Sequence, residues 1–143
     1  FLADVAKHYT ITKKSKRYLP GKSNEFGLRL TDGWYALKLK TKVKSDNVVE
    51  HLDPMILTRT ILEPLFNITD QKTDKRISFI PGKDSLDRFE KGIDEGTITA
   101  LFTLHSTSTE QLFAVSDANE VMPPKSTYVE PKLRSGLTIM RLS

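Results

Sequence analysis

The chain has 143 residues, no cysteine, a formal net charge of +4, and 38% hydrophobic and 28% charged residues. This length fits one domain with a buried core, and the lack of cysteine excludes disulfides, thiolate metal sites and a cysteine nucleophile. No apolar run is long enough to cross a membrane and no signal peptide is visible, so we expect a cytoplasmic protein without membrane contact. The mildly basic charge permits a nucleic-acid or phosphate partner without requiring one.

The first residues predict a short amphipathic helix. Leu2, Val5 and Tyr9 recur at helical spacing over residues 1–9. An extended segment follows at Thr10-Ile11-Thr12. Because the chain enters this pattern at Phe1 rather than at a methionine, we expect it to be a fragment of a longer protein.

Two runs of alternating apolar residues around Asp32-Gly33 predict a β-hairpin. An Asp-Gly pair is typical of the centre of a two-residue type I′ turn. This turn predicts three facing apolar pairs on one side of the sheet: Leu30 with Tyr35, Leu28 with Leu37, and Phe26 with Leu39. The opposite side, with Arg29, Lys38 and Lys40, would be a basic surface exposed to water.

A helix is predicted to begin at Leu52-Asp53-Pro54. Asp53 would be its N-terminal cap, and Pro54 suits the first helical position. An apolar stripe at a spacing of four extends the helix towards Leu65. Because proline lacks an N–H and clashes with the preceding turn, Pro64 is expected to end or kink the helix near Leu62 or Glu63.

The second half of the chain predicts alternating strands and helices. A short strand is expected over residues 76–80, and a helix capped by Asp84 and closed by Gly96 follows. Residues 97–105 carry apolar side chains on both faces, which predicts a central strand. Thr107-Ser108-Thr109-Glu110 is typical of a capping box that begins another helix, and residues 137–142 predict a final strand.

These elements predict a single α+β domain over residues 1–143, with a mixed, largely antiparallel sheet and helices mainly on one face.

The segment from Met122 to Gly136 is the densest cluster of reactive polar groups in the sequence. Three prolines within nine residues exclude a helix there. Basic side chains beside hydroxyl groups are suited to phosphate, which is bound by point charges and short donors. The candidate ligand-binding residues are Lys125, Ser126, Thr127, Glu130, Lys132, Arg134 and Ser135. Alternatively, this is an ordered loop whose prolines pack on the core and whose Glu130 pairs with a neighbouring cation, or it is a surface for a protein partner.

No other motif indicates a catalytic or metal site. His8, His51 and His105 lack the spacing of zinc ligands. Walker A, GxGxxG and GxSxG motifs are absent. The sequence therefore assigns no catalytic residue, metal site or cofactor.

The end of the chain resembles a known bacterial signature. Residues 114–118, 122–127 and 130–137 together are similar to the C-terminal signature of the domain-of-unknown-function family ten-fifteen, which carries a SpoOJ/ParA/ParB/RepB-like label. The resemblance extends over nearly the whole chain, with Val129 standing where an aromatic residue is usual. It implies a longer protein whose N-terminal region holds a Gly-His-His-Arg-Tyr-type motif. This chain would then be the C-terminal fragment, with that N-terminal region as its expected partner. The resemblance implies no established activity.

Three functions are consistent with these patterns. In the first, the 122–136 loop folds over a phosphate-bearing ligand that is also held by the N-terminal region. In the second, suggested by the ParB-like label, the domain binds nucleic acid through Lys13, Lys14, Lys16, Arg17 and the lysines of residues 38–44. The modest net charge and the lack of a helix-turn-helix pattern argue against this function. In the third, the domain is structural or dimerising.

Overall fold

The computed structural model describes residues 1–81, 85–124 and 126. The strands are β1 (Tyr9–Lys14), β2 (Glu25–Leu30), β3 (Gly33–Leu39) and β4 (Leu101–Leu104). The helices are α1 (Leu2–His8), α2 (Asp53–Leu57), α3 (Glu63–Phe66), α4 (Asp87–Asp94) and α5 (Thr109–Asp117), with a 3-10 turn at Val48–His51 and a π-helical turn at Thr58–Leu62. The predicted α+β class is confirmed. The predicted cap Asp84 and the predicted strand at 137–142 lie outside the described residues.

The strands form one antiparallel sheet in the order β1-β3-β2-β4. Within the described part of the chain, β4 is therefore an outer strand, and the prediction of a central strand is wrong. It is also shorter than predicted. The N–H groups of Thr97 and Ile98 both donate to the carbonyl of Gly92, at 2.9 and 3.0 Å. These bonds hold the start of the predicted strand against the end of α4 instead of the sheet.

The β2–β3 hairpin has a register two residues away from the predicted one. Leu28 pairs with Tyr35, and Phe26 pairs with Leu37, so Thr31 and Asp32 form the centre of the turn. Gly33, with φ of +138°, begins β3 instead of closing the turn. Because side chains alternate with a period of two, a shift of two residues leaves the apolar side chains on the predicted face.

The side chain of Asp32 explains the position of this turn, because it binds residues of two neighbouring strands. Its carboxylate accepts a hydrogen bond from Lys13 Nζ at 2.9 Å and another from the Tyr35 hydroxyl. These bonds hold the pKa of Asp32 below its usual range. The same side chain therefore fixes β1 and β3 at one end of the sheet.

The main core lies between one face of the sheet and the helices α1, α2 and α3. Its buried residues are Val5, Tyr9, Phe26, Leu28, Tyr35, Leu37, Ile56, Leu57, Ile61, Leu62 and Ile68. Tyr9 is fully buried, and its hydroxyl lies 2.6 Å from Thr60 Oγ1. Burial raises the pKa of Tyr9 to about 12, so the phenol stays neutral in the core.

A second, smaller cluster covers part of the opposite face of the sheet. Trp34, Ile93 and Leu101 are its buried residues, and Ile93 belongs to α4. Arg29 is also largely covered, with 14% of its side chain exposed, and it pairs with Asp94 of α4 at 2.6 Å. The prediction of a basic surface exposed to water is therefore wrong for Arg29, because α4 covers its side chain.

The helical segment over residues 53–66 continues past the predicted break. Pro64 has no N–H to offer the turn before it, and the chain widens into the π-helical turn, where the N–H of Glu63 donates to the carbonyl of Thr58. Asn67, with φ of +54°, ends α3. Asp53 is not the N-terminal cap: it lies inside α2, and its carboxylate accepts a hydrogen bond from the Asn24 N–H at 2.8 Å.

The capping box of α5 lies one residue later than predicted. Ser108 Oγ accepts the Gln111 N–H at 3.2 Å, and Gln111 Oε1 accepts the Ser108 N–H at 3.0 Å. Thr107 is consequently outside the box. Its hydroxyl donates instead to the carbonyl of Ser126 at 3.2 Å, which joins the start of α5 to the Pro-rich segment.

Candidate functional site

The described part of the Pro-rich segment is its beginning, Met122–Pro124 and Ser126, here called the loop root. Of the predicted ligand-binding residues, Ser126 alone is described, whereas Lys125, Thr127, Glu130, Lys132, Arg134 and Ser135 lie outside the described residues and stay a prediction. Ser126 Oγ donates to the Pro123 carbonyl at 2.6 Å, and Pro123 is buried. The Ser126 hydroxyl therefore braces the loop root, and its proton is already committed.

A cavity of about 380 Å³ opens beside the loop root. Its lining residues are Gln71, Lys72, Asp74, Ile77, Ser78, Phe79 and Pro124. This volume falls within the range of small-molecule sites, about 300–1,000 Å³. Because Pro124 lines the cavity, the predicted ligand-binding residues directly follow one of its walls in the chain.

The polar wall of the cavity is held in place by Arg76. Its guanidinium donates to Asp74 at 3.0 and 2.5 Å and to the carbonyl of Phe66, at the end of α3, at 3.0 Å. The bonds from Arg76 lower the pKa of Asp74 to about 2, so this carboxylate stays ionised and its charge is balanced by Arg76. The same bonds explain why residues 76–80 form a loop and not the predicted strand: Arg76 is fastened to the helix end.

Lys72 carries the remaining charge of the cavity. Its backbone N–H donates to Asp70 at 2.9 Å, and the Thr73 hydroxyl donates to the same carboxylate at 2.8 Å, so the turn that carries Lys72 is well defined. The Lys72 ammonium makes no ion pair within residues 1–81, 85–124 and 126. The described lining therefore has one cation, Lys72, and one carboxylate, Asp74, which is already paired with Arg76.

The amide of Gln71 is oriented by a hydrogen bond to the π-helical turn. Its amide Nε2 donates to Thr58 Oγ1, and the Thr58 hydroxyl in turn donates to the Pro54 carbonyl at 2.6 Å. Thr58 is buried. This chain of bonds fixes the plane of the Gln71 amide from the π-helical turn behind it.

The other wall is apolar. Ile77, Phe79 and Pro124 supply it, and the Phe79 residue is 39% exposed. An aromatic ring exposed inside a cavity offers a flat face for a ligand. The sequence pattern of residues 67–75 does not reveal this cavity, because only the contact with distant Pro124 brings its two walls together.

A second polar cluster lies in the interior, at Asp53 and His105. Asp53 is 4% exposed; its Oδ2 and the Nδ1 of His105 are buried and have no hydrogen-bond partner in the described part of the chain. Burial raises the pKa of Asp53, and this is opposed by the Asn24 N–H and by the charge of His105. His105 directly follows β4 and precedes Thr107, which binds the loop root.

Replacing Asp53 by asparagine is expected to stabilise the protein at pH 7 by about 1 kcal/mol, because the amide keeps the acceptor for the Asn24 N–H and removes a buried charge. A raised folded-state pKa means that wild-type stability is greatest below the unfolded-state pKa and falls as the pH rises through the folded-state value. The gain should therefore be present at pH 7 and shrink below about pH 4. Urea denaturation at both pH values tests it.

The control for Asp53→Asn is the exposed Asp46→Asn, which should change stability little at either pH. A variant at Asp53 that is less stable than wild type at pH 7 would contradict the burial argument.

The predicted nucleic-acid cluster is partly neutralised within the domain. Lys13 pairs with Asp32 at 2.9 Å, and Arg17 pairs with Asp87 at 2.5 Å and with Glu90. Glu90 also accepts the indole N–H of Trp34 at 2.8 Å, so Arg17 helps to fix α4 on the sheet. Ion pairs of this kind leave fewer charges free to bind phosphates of a nucleic acid.

Within the described ranges, no cluster of three or more histidine or acidic side chains is placed to hold a metal ion, and no helix is both long and apolar enough to cross a bilayer. Comparison of the chain with protein-family models, with curated proteins and with solved structures finds no match.

Proposed function

We propose that this domain binds a phosphate-bearing small ligand in the cavity beside the loop root. The observation that carries the proposal is the position of Lys72: this residue lines the same cavity as Pro124, the residue before Lys125. The other predicted ligand-binding cations, Lys132 and Arg134, follow in the same segment of the sequence and stay a prediction.

Lys72 is the cation of the described lining. The Asp74 carboxylate is paired with Arg76, so a bound phosphate would take Lys72 as its partner. Ammonium groups bind phosphate as point charges, and charge-assisted hydrogen bonds are the stronger ones in proteins. Ser78 adds a hydroxyl to the same lining.

Titration calorimetry with sodium tripolyphosphate at low ionic strength tests this function. Lys72→Ala is expected to weaken binding about tenfold or more, since a lost charge-assisted bond has that effect. Lys125→Ala should weaken it as well. The matched control is Lys75→Ala, which removes an exposed lysine of the same loop that does not line the cavity, and it should alter binding less than about twofold.

Equal losses for Lys72→Ala and Lys75→Ala would indicate general charge screening and would overturn the assignment of the cavity. No binding of any phosphate compound would overturn the function itself.

We also propose that the chain belongs to the bacterial ten-fifteen family, with a cytoplasmic location. The resemblance of residues 122–136 to the family signature supports membership, and the absence of cysteine fits a reducing compartment. The ParB-like alternative, nucleic-acid binding, predicts affinity that falls steeply with salt, and a gel-shift titration at low salt tests it.

A further inference from the structure

We infer that the ligand of the cavity carries a nucleobase, so that the class of ligand is a nucleoside phosphate. This inference rests on the proposed function and adds to it the identity of the non-phosphate part of the ligand. It is carried by the arrangement of Phe79, Gln71 and Lys72 around one cavity.

Phe79 supplies a stacking surface. The residue is 39% exposed, and it lines the cavity with Ile77 and Pro124 beside it. A sugar phosphate has no π-face with which to cover such a ring. Every nucleobase has one, and base–aromatic stacking contributes substantially to the affinity of single-stranded nucleic acids for proteins.

Gln71 supplies a fixed amide for the edge of the base. One of its N–H groups is used by Thr58 Oγ1, which leaves Oε1 and the other N–H without a bond to any described residue. A carboxamide held in one plane offers a donor and an acceptor side by side, which matches the donor–acceptor pattern on the edge of a base such as adenine. Because the orientation is set by buried Thr58, the amide need not be ordered when the ligand binds.

Lys72 is adjacent to Gln71 in the chain and lines the same cavity, so one short turn presents both the base-reading amide and the phosphate-binding cation. The cation of the lining is Lys72, whereas Phe79, Ile77 and Pro124 form the apolar wall. A ligand with an anionic end and a flat aromatic body fits this division.

Calorimetry with two probes on the full chain tests the inference: ATP, and sodium tripolyphosphate as its counterpart without base and sugar, both in magnesium-free buffer. ATP is expected to bind about tenfold or more tightly than tripolyphosphate. Phe79→Leu, which keeps apolar volume without a π-face, should weaken ATP about tenfold and leave tripolyphosphate unchanged. Phe79→Tyr should retain ATP affinity. Phe113→Ala, which removes another exposed phenylalanine outside the cavity, should affect neither probe.

The outcomes separate the two proposals. If ATP and tripolyphosphate bind equally and Lys72→Ala weakens both, the phosphate function stands and the nucleobase is excluded. Ribose 5-phosphate binding as tightly as ATP would also exclude the base. If neither ATP nor tripolyphosphate binds, both proposals fall. Thermal denaturation of each variant checks that the lost affinity does not come from unfolding.

Discussion

A variant in which Phe26 is replaced by alanine is expected to lose about 3–5 kcal/mol of its unfolding free energy. Phe26 is completely buried and lies at the centre of the sheet, paired with Leu37 on β3 and with Leu104 on β4. Its ring also packs edge-on against Tyr9, with the centroids 5.6 Å apart. Removing it opens a cavity that the strands on both sides cannot close. Urea denaturation measures the loss, and an unchanged slope would confirm that two-state unfolding persists.

The matched control for Phe26 is Phe113→Ala. Phe113 is 62% exposed on α5, and alanine has a high helix propensity, so the change should alter stability by less than about 0.5 kcal/mol. A loss at Phe26 no larger than the loss at Phe113 would mean that the sheet is not the centre of the core.

The second large effect is expected at Gly27, where alanine should destabilise the protein by about 3 kcal/mol. A Cβ atom at this position of β2 would lie 2.5 Å from the carbonyl oxygen of Tyr18 and even closer to Thr103 Oγ1. The Thr103 hydroxyl donates to this same carbonyl at 3.0 Å, so the space above Gly27 is filled by a hydrogen bond between β4 and the segment after β1. Backbone atoms of Tyr18 cannot move aside as a flexible side chain could.

Gly21→Ala tests whether this effect belongs to the site and not to glycine in general. No atom lies within 4 Å of the position that its Cβ would take, and the residue is exposed. Its substitution should be neutral or slightly stabilising, because alanine restricts the unfolded chain. The thermal midpoint should therefore fall clearly for Gly27→Ala and change little for Gly21→Ala. Similar midpoints for the two variants would contradict the close packing over Gly27.

The fold was predictable from the sequence where it depends on local patterns. The apolar alternation of β2 and β3 predicted these strands, and the helical spacing of Leu2 and Val5 predicted α1, because apolar period and burial are linked within a few residues. Tyr9, which the same spacing assigned to the helix, instead begins β1. The hairpin register was not predictable in this way. It depends on Asp32, which binds Lys13 of another strand, and no pattern within the hairpin contains that contact.

The same distinction applies to the candidate site. A loop at the Pro-rich segment could be predicted, since proline excludes helix locally. Lys72, Gln71 and Phe79 could not be assigned to it, because they occur in a stretch rich in turn formers and meet Pro124 only through tertiary packing. Similarly, β4 is shorter than predicted because Thr97 and Ile98 bind Gly92, and the apolar pattern of residues 97–105 does not reveal these bonds.

The strand order β1-β3-β2-β4 has a consequence for the order in which the domain opens and closes. The β2–β3 hairpin closes a short loop, whereas β4 joins β2 only after the long intervening chain has been ordered, and closure of a longer loop has a larger entropy penalty. We therefore expect β4 to dock late and its amides to exchange hydrogen through openings smaller than global unfolding. Thr107 connects the end of β4 to Ser126, so a ligand bound at the loop root would slow that exchange by stabilising the closed form.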